Sequence, residues 1–295
     1  MMLLHITEAR VQNDPEVQQI VKTYQLGVPR MPVSGRSGEL LGRGTGSSLE
    51  FQEYREYFPG DDIRHLDWAA YARSDVLMVR LYRDEISPRT EILLDASRSM
   101  TTGGTIKPLV ARQLTAALAL LSARLGGKPQ IIPLDDSRPL KVMTQADLTW
   151  LTDYPFEGIA SPVEILDGHL LPSSRKSLRI VISDFLFPHD PAQLIRRLAA
   201  DTGTLWVVQL LNAWEADPTA LGGRRLIDAE TRSECNLLID RRRIAAYRDR
   251  LAALQSELAR ECRRAHATFT TLIADRGLSR LCREELSYAG IVRTD

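Results

Sequence analysis

The run TEILLDASRSM, Thr90 to Met100, opens as an unbroken apolar strand and ends in a polar turn carrying Asp95, Ser97 and Ser99. A strand buried on both faces reads as a continuous apolar run, not as an alternation, and this is the mark of a parallel sheet covered by helices. Outward from it the same grammar repeats. PQIIPL (129–134), SLRIVISDFL (177–186), TLWVVQLL (204–211) and ATFTTLIA (267–274) read as strands. Between them lie helical patterns: Pro108 to Leu125, closed by Gly126-Gly127; residues 190–203, ending at glycine; Ile244 to His266; and a last helix near 278–288. Strands alternating with helices predict an α/β fold with a doubly wound, mainly parallel sheet. Periodicity does not give the strand order.

The N-terminal third reads differently. Residues 8–25 predict a short helix with Ile20, Val21 and Tyr24 on its apolar side, and residues 26–46 are loop or linker, rich in Gly, Pro, Ser and Arg. From Leu49 to Leu81 aromatic and charged residues crowd together. Phe51, Glu53, Arg55 and Tyr57 alternate as in a strand, Pro59-Gly60-Asp61-Asp62 suits a turn, and VLMVRLY (76–82) is a second strand. The expected organisation is an N-terminal helix and linker (1–35), a β-rich segment packed on the sheet domain (36–89), and the α/β domain (90–295) with a hairpin insertion near 222–240, RRLIDAE against CNLLID.

Lys plus Arg and Asp plus Glu both total 38, so nothing supports a general nucleic-acid footprint. No uninterrupted apolar run approaches the roughly 18 residues of a membrane span, and the start is charged too early for a signal peptide. Three widely spaced cysteines imply neither a disulfide framework nor a zinc ribbon. A cytoplasmic protein is expected. The five histidines lack H-x-x-x-H spacing, and no G-x-S-x-G serine or P-loop is present.

In open α/β sheets ligands sit beyond the carboxyl ends of the strands. Two such ends are polar here: Asp95-x-Ser97-x-Ser99, and Ser183-Asp184. One carboxylate with two alternate hydroxyls offers convergent hard oxygen donors, the set magnesium prefers, and Asp184 adds a second carboxylate. The plain structural alternative is that both aspartates cap the helices that follow them.

These residues carry a resemblance. D-x-S-x-S after an apolar strand looks like the metal-ion-dependent adhesion site (MIDAS) of von Willebrand factor A domains. Upstream, Gly42-Arg43-Gly44, Pro59 to Asp62, Arg64 with Asp67-Trp68, and Ala72-Arg73 resemble the bacterial domain-of-unknown-function 58 (DUF58) proteins, with the likeness running over roughly residues 36–290. The resemblance implies a von Willebrand A-like sheet and Mg2+, with Mn2+ or Ca2+ as alternatives, held by Asp95, Ser97, Ser99 and Asp184. Where an A domain often supplies a threonine, this chain offers Ser161 in GIASPVE, and Phe185 stands where a glycine usually follows the later aspartate. It also implies a partner, a MoxR-type AAA+ ATPase.

The expected function is therefore a non-enzymatic, metal-dependent protein-interaction module, an adaptor or co-chaperone whose metal accepts a partner carboxylate. The alternatives are an A-like domain with a decayed metal site, and a metal-dependent phosphoesterase, for which Lys107 is the only nearby phosphate-gripping candidate. Arg55, Asp61, Asp62, Arg64, Asp67 and Arg73 are a candidate partner-binding cluster, read against a structural ion-pair network. Trp68 is expected in core or interface packing. Arg241-Arg242-Arg243 reads as a solvated helix start.

Overall fold

The computed structural model describes residues 10–27, 49–59, 61, 63–84, 89–138, 142–144, 148–168, 171, 174–219, 222–227 and 233–294. They fall into two units, residues 1–28 with 88–295, and residues 29–87. In chain order the strands are β1 (Tyr24–Leu26), β2 (Leu49–Glu56), β3 (Met78–Asp84), β4 (Arg89–Asp95), β5 (Gln130–Leu134), β6 (Met143–Thr144), β7 (Ser174–Ser183), β8 (Thr202–Leu211), β9 (Gly222–Ile227), β10 (Glu234–Ile239), β11 (Thr268–Ile273) and β12 (Val292–Thr294). The α-helices are α1 (Pro15–Thr23), α2 (Trp68–Ser74), α3 (Ile106–Arg124), α4 (Thr149–Thr152), α5 (Pro162–Gly168), α6 (Pro191–Ala199), α7 (Ala213–Ala216), α8 (Arg241–Arg264) and α9 (Leu278–Leu281).

The larger unit is built on a six-stranded sheet in the order β11-β8-β7-β4-β5-β6. All neighbours are parallel except the short edge strand β6, antiparallel to β5. Successive side chains of a strand point to opposite faces, and the two cores divide accordingly. Ile92, Leu94, Ile180, Ile182, Trp206 and Val208 face one core with α1, α3 and α9. Leu93, Val181, Leu205 and Val207 face the other with α5, α6 and α8. This is the mixed α/β architecture, helices on both faces, that the apolar runs predict.

Several details depart from the sequence reading. Helix α1 begins at Pro15 and not near residue 8, because Asp14 caps it through the Glu16 and Val17 amides and Pro15 presets the first turn. It belongs to the larger unit: Val17 and Ile20 share a core with α3, and β1 pairs antiparallel with β12 at the far end of the chain. The pattern from Pro108 to Leu125, amphipathic as a sequence, is helix α3, which shows no single apolar stripe. Residues from Lys107 to Ser122 are buried on most sides, so this helix, long and apolar enough to span a membrane by length and composition, is mostly core. The last predicted helix divides into α9 and a π-turn over Cys282–Leu286.

Residues 29–87 contain the β2–β3 hairpin, with a register shift between Phe51 and Glu53, and helix α2. Asp67 caps α2 by accepting from the Ala69 and Ala70 amides. Trp68 is not core: it is 64% exposed and meets Tyr71 edge-on.

Candidate functional site

The sheet order reverses between β4 and β7. From β4 the chain proceeds outward to β5 and β6, then returns to build β7, β8 and β11 on the other side. Loops leave such neighbouring strands in opposite directions, which opens a crevice at their carboxyl ends. Asp95 ends β4, and Ser183 ends β7 with Asp184 following. The fold therefore brings together two polar strand ends that lie 88 positions apart.

Asp95 is fully buried. Its Oδ1 accepts the Ser97 amide at 3.0 Å, and its Oδ2 accepts the Ser183 hydroxyl at 2.5 Å. Ser97 Oγ and Ser99 Oγ lie 2.9 Å apart on the same turn. Asp184 is also fully buried, its Oδ1 accepting the Leu186 amide at 2.9 Å. Both aspartates thus stabilise the turns that follow them, using one oxygen each, but neither caps a helix: Thr105 stands at the cap of α3 and Asp190 caps α6. Each carboxylate oxygen carries two lone pairs, so acceptor capacity remains after these bonds.

A cation already stands in the cluster. Lys107, in the first turn of α3, is 1% exposed; its Nζ donates to Asp184 Oδ2 at 2.8 Å, to Glu215 Oε1 and Oε2 at 2.9 and 3.0 Å, and to the Ser99 carbonyl at 3.2 Å. Although burial works against its charge, the Asp184 and Glu215 carboxylates hold this ammonium above the ordinary lysine value. Glu215 sits in a capping box with Asn212 at the start of α7, and Asn212 Nδ2 reaches the Thr102 carbonyl at 2.8 Å. Burial and the neighbouring Asp184 charge push the Asp95 carboxyl up to about 6. Asp184 and Glu215 face one buried ammonium, and Asp95 lies near enough to feel the Asp184 charge; with all four groups ionised the formal charge is minus two.

Lys107 entered the sequence reading only as a phosphate-gripping candidate, and Glu215 did not enter it. Two signals were present: a lysine in the first turn of an apolar helix, at the end the helix dipole disfavours for a cation, and the N-x-x-E capping pattern of residues 212–215. Ser161 is engaged locally: its hydroxyl donates to Glu164 Oε2 at 3.0 Å and accepts the Glu164 amide at 3.3 Å, at the start of α5. The nearby contact to the aspartate turn is made by Gly158 instead, whose amide donates to the Ala96 carbonyl and whose carbonyl accepts from the Arg98 amide. Phe185 is buried with a φ of 56°, a left-handed conformation that a bulky residue rarely adopts.

The second candidate cluster resolves into local pairs. Arg55 pairs with Asp61 at 2.8 Å and lies over the Phe58 ring; Asp61 also accepts the Phe58 amide. Tyr54 donates to the buried Asp67 at 2.9 Å. Arg64 and Arg73 are exposed, and Asp62 lies outside the described residues.

The fold and site define a mixed α/β protein with a mostly parallel six-stranded sheet, helices on both faces and a buried charged cluster at the point where the sheet order reverses. The chain belongs to the DUF58 family, whose description is a protein of unknown function, and the match covers residues 53–260. Among its relatives is Uncharacterized protein Rv1480 of Mycobacterium tuberculosis, 25% identical over 277 residues, covering 90% of this chain and 87% of that protein. Uncharacterized protein Mb1516 of Mycobacterium bovis matches with the same identity and coverage. Similar solved structures include the conserved hypothetical protein BatB from Bacteroides thetaiotaomicron, with a TM-score of 0.39 and 13% identity over 68% of this chain and 98% of that one. Another is an aerotolerance-related membrane protein from Bacteroides fragilis, with a TM-score of 0.37 and 12% identity over 68% and 99%.

Proposed function

We propose that this protein is a non-enzymatic, metal-dependent interaction module of the von Willebrand A type. In this reading Asp95, Ser97, Ser99 and Asp184 hold a divalent cation, Mg2+ with Mn2+ or Ca2+ as alternatives, at the β4–β7 switch point. The observation that carries the reading is the unbalanced charge of the buried cluster, three carboxylates to one ammonium, beside two hydroxyls 2.9 Å apart. Buried charge is costly unless paired. A divalent ion would neutralise the formal excess, and the donors are the hard oxygens it prefers. When bound, it supplies a positive centre for a partner's carboxylate. The protein's own groups orient it: the Ser97 amide and the Ser183 hydroxyl fix Asp95, and the Leu186 amide fixes Asp184. Ser161 is not required, being engaged with Glu164.

The partner proposed is a MoxR-type AAA+ ATPase offering an acidic side chain, with this protein as adaptor or co-chaperone. Pull-down of such an ATPase in magnesium and in EDTA, with wild type and Asp95→Ala, tests it. Capture in magnesium alone, lost in the variant, is expected. Equal capture under all conditions would sink the metal-dependent reading.

One observation favours a second reading, an A-like domain that needs no metal: Lys107 already neutralises part of the cluster from within. A melting temperature indifferent to magnesium at every pH would support it.

A further inference from the structure

Resting on the cation reading above, we propose that Lys107 is a tethered counter-cation that competes with the divalent ion for Asp184, with Glu215 as its second berth. The geometry points to competition rather than support. The Lys107 ammonium lies 2.8 Å from Asp184 Oδ2, so it already places a positive charge on a carboxylate that the ion would share. The same ammonium is held by both oxygens of Glu215, at 2.9 and 3.0 Å. Glu215 is fixed in turn: Asn212 and Glu215 form a reciprocal cap, and Tyr247 of α8 donates to the Glu215 carbonyl at 2.7 Å.

Two cations cannot share one buried carboxylate without strong repulsion, because the interior screens charge poorly. When the divalent ion takes Asp184, the ammonium keeps a complete ion pair by settling on Glu215. When the ion leaves, the ammonium returns and spares Asp184 the cost of lying buried and unpaired. Lys107 thereby lowers the affinity of the site and keeps the metal-free cluster folded. It is a positioning residue for the site, not a ligand.

The test is isothermal titration of Mg2+ into wild type, Lys107→Met and the double variant Lys107→Met/Glu215→Gln. The double variant removes one positive and one negative charge, so the formal charge of the cluster is unchanged while the competing ammonium is lost, together with its bond to the Ser99 carbonyl. It strands Asp184 alone, where the single variant strands both Asp184 and Glu215, so it is the better folded of the two and keeps the comparison open where the single variant fails to fold. The double variant is expected to bind Mg2+ at least about tenfold more tightly, the scale of freeing a carboxylate from one charge-assisted hydrogen bond. Equal or weaker binding by a folded double variant, with wild type still binding, overturns the competition alone. Absence of binding in every variant overturns the cation reading and this proposal together.

Discussion

The Ser183 hydroxyl donates to Asp95 Oδ2 at 2.5 Å and so ties the carboxyl end of β7 to that of β4. The bond spans the point where the sheet order reverses, and it fixes Asp95 from the side opposite the Ser97 amide. A carboxylate held by two neutral donors but denied water is poised between binding a proton and binding a cation.

Its pH dependence follows with a definite sign. Burial, with the Asp184 charge second, raises the folded Asp95 carboxyl from an ordinary value of 3.8 to about 6. The folded state therefore binds this proton more tightly than the unfolded chain. The contribution to stability is complete below the unfolded value and is lost as pH rises through about 6. Between these limits the metal-free protein loses stability through this group, and Asp95→Asn, which carries no charge to desolvate, removes that slope. Magnesium competes with the proton, so its stabilisation is small at pH 5 and full at pH 8. At about a hundredfold excess over Kd it amounts to about 2.7 kcal/mol, a rise of about 5–10 °C in Tm. Thermal melts across this range, with and without Mg2+, check it; a magnesium shift retained by Asp95→Asn contradicts it.

At the other end of the sheet, Arg179 on β7 and Glu91 on β4 form a buried pair with N···O of 2.9 Å. Arg179 Nη1 also donates to the Leu198 carbonyl at 2.7 Å, at the end of α6. Glu91→Ala leaves the guanidinium buried beside no carboxylate and is expected to cost about 3–5 kcal/mol. Glu91→Leu with Arg179→Met should recover most of that loss. Urea unfolding of the three proteins measures both values, and a double variant as unstable as the single one would show that the pair itself, not the stranded charge, is what matters.

Gly158 reports on the aspartate turn. A Cβ added there would stand 3.2 Å from the Ala96 carbonyl oxygen and 3.3 Å from Ser97 Cα, both backbone atoms. Gly158→Ala should therefore displace the turn, costing about 1–3 kcal/mol and weakening the magnesium response. A variant with wild-type melting and wild-type response would show the turn to be more compliant than its contacts indicate.

Ser161→Ala separates capping from ligation. Loss of the hydroxyl that accepts the Glu164 amide should cost about 1 kcal/mol. The magnesium-dependent rise in Tm should be unchanged. Loss of that rise would restore Ser161 to the ligand set.

How far the sequence carried the site differs from residue to residue. Asp95, Ser97 and Ser99 are legible because they are close in sequence and follow an unmistakable apolar run; Asp184 is legible because a second such run ends in it. Lys107 and Glu215 are not, since they are separated by 108 positions and each has an ordinary local role, one in a helix and one in a cap. The ion pair arises only when α3 and α7 meet beside the crevice. Trp68 misled for the converse reason: an aromatic residue suggests burial, but its helix turns it outward.

By itself the sequence determined the long strands of the main sheet, though not β1, β6 or β12, and with them the larger helices, the α/β class and the D-x-S-x-S turn, because hydrophobic period and capping chemistry are local properties of the chain. Only the tertiary structure decided the order β11-β8-β7-β4-β5-β6, the return of β1 to pair with β12, and the seating of Lys107 between Asp184 and Glu215. An apolar run states that both its faces are covered; it does not state which strand lies beside it. The polar turn at the end of β4 joins a buried charged cluster because β4 and β7 are neighbours and because α3 seats Lys107 between Asp184 and Glu215.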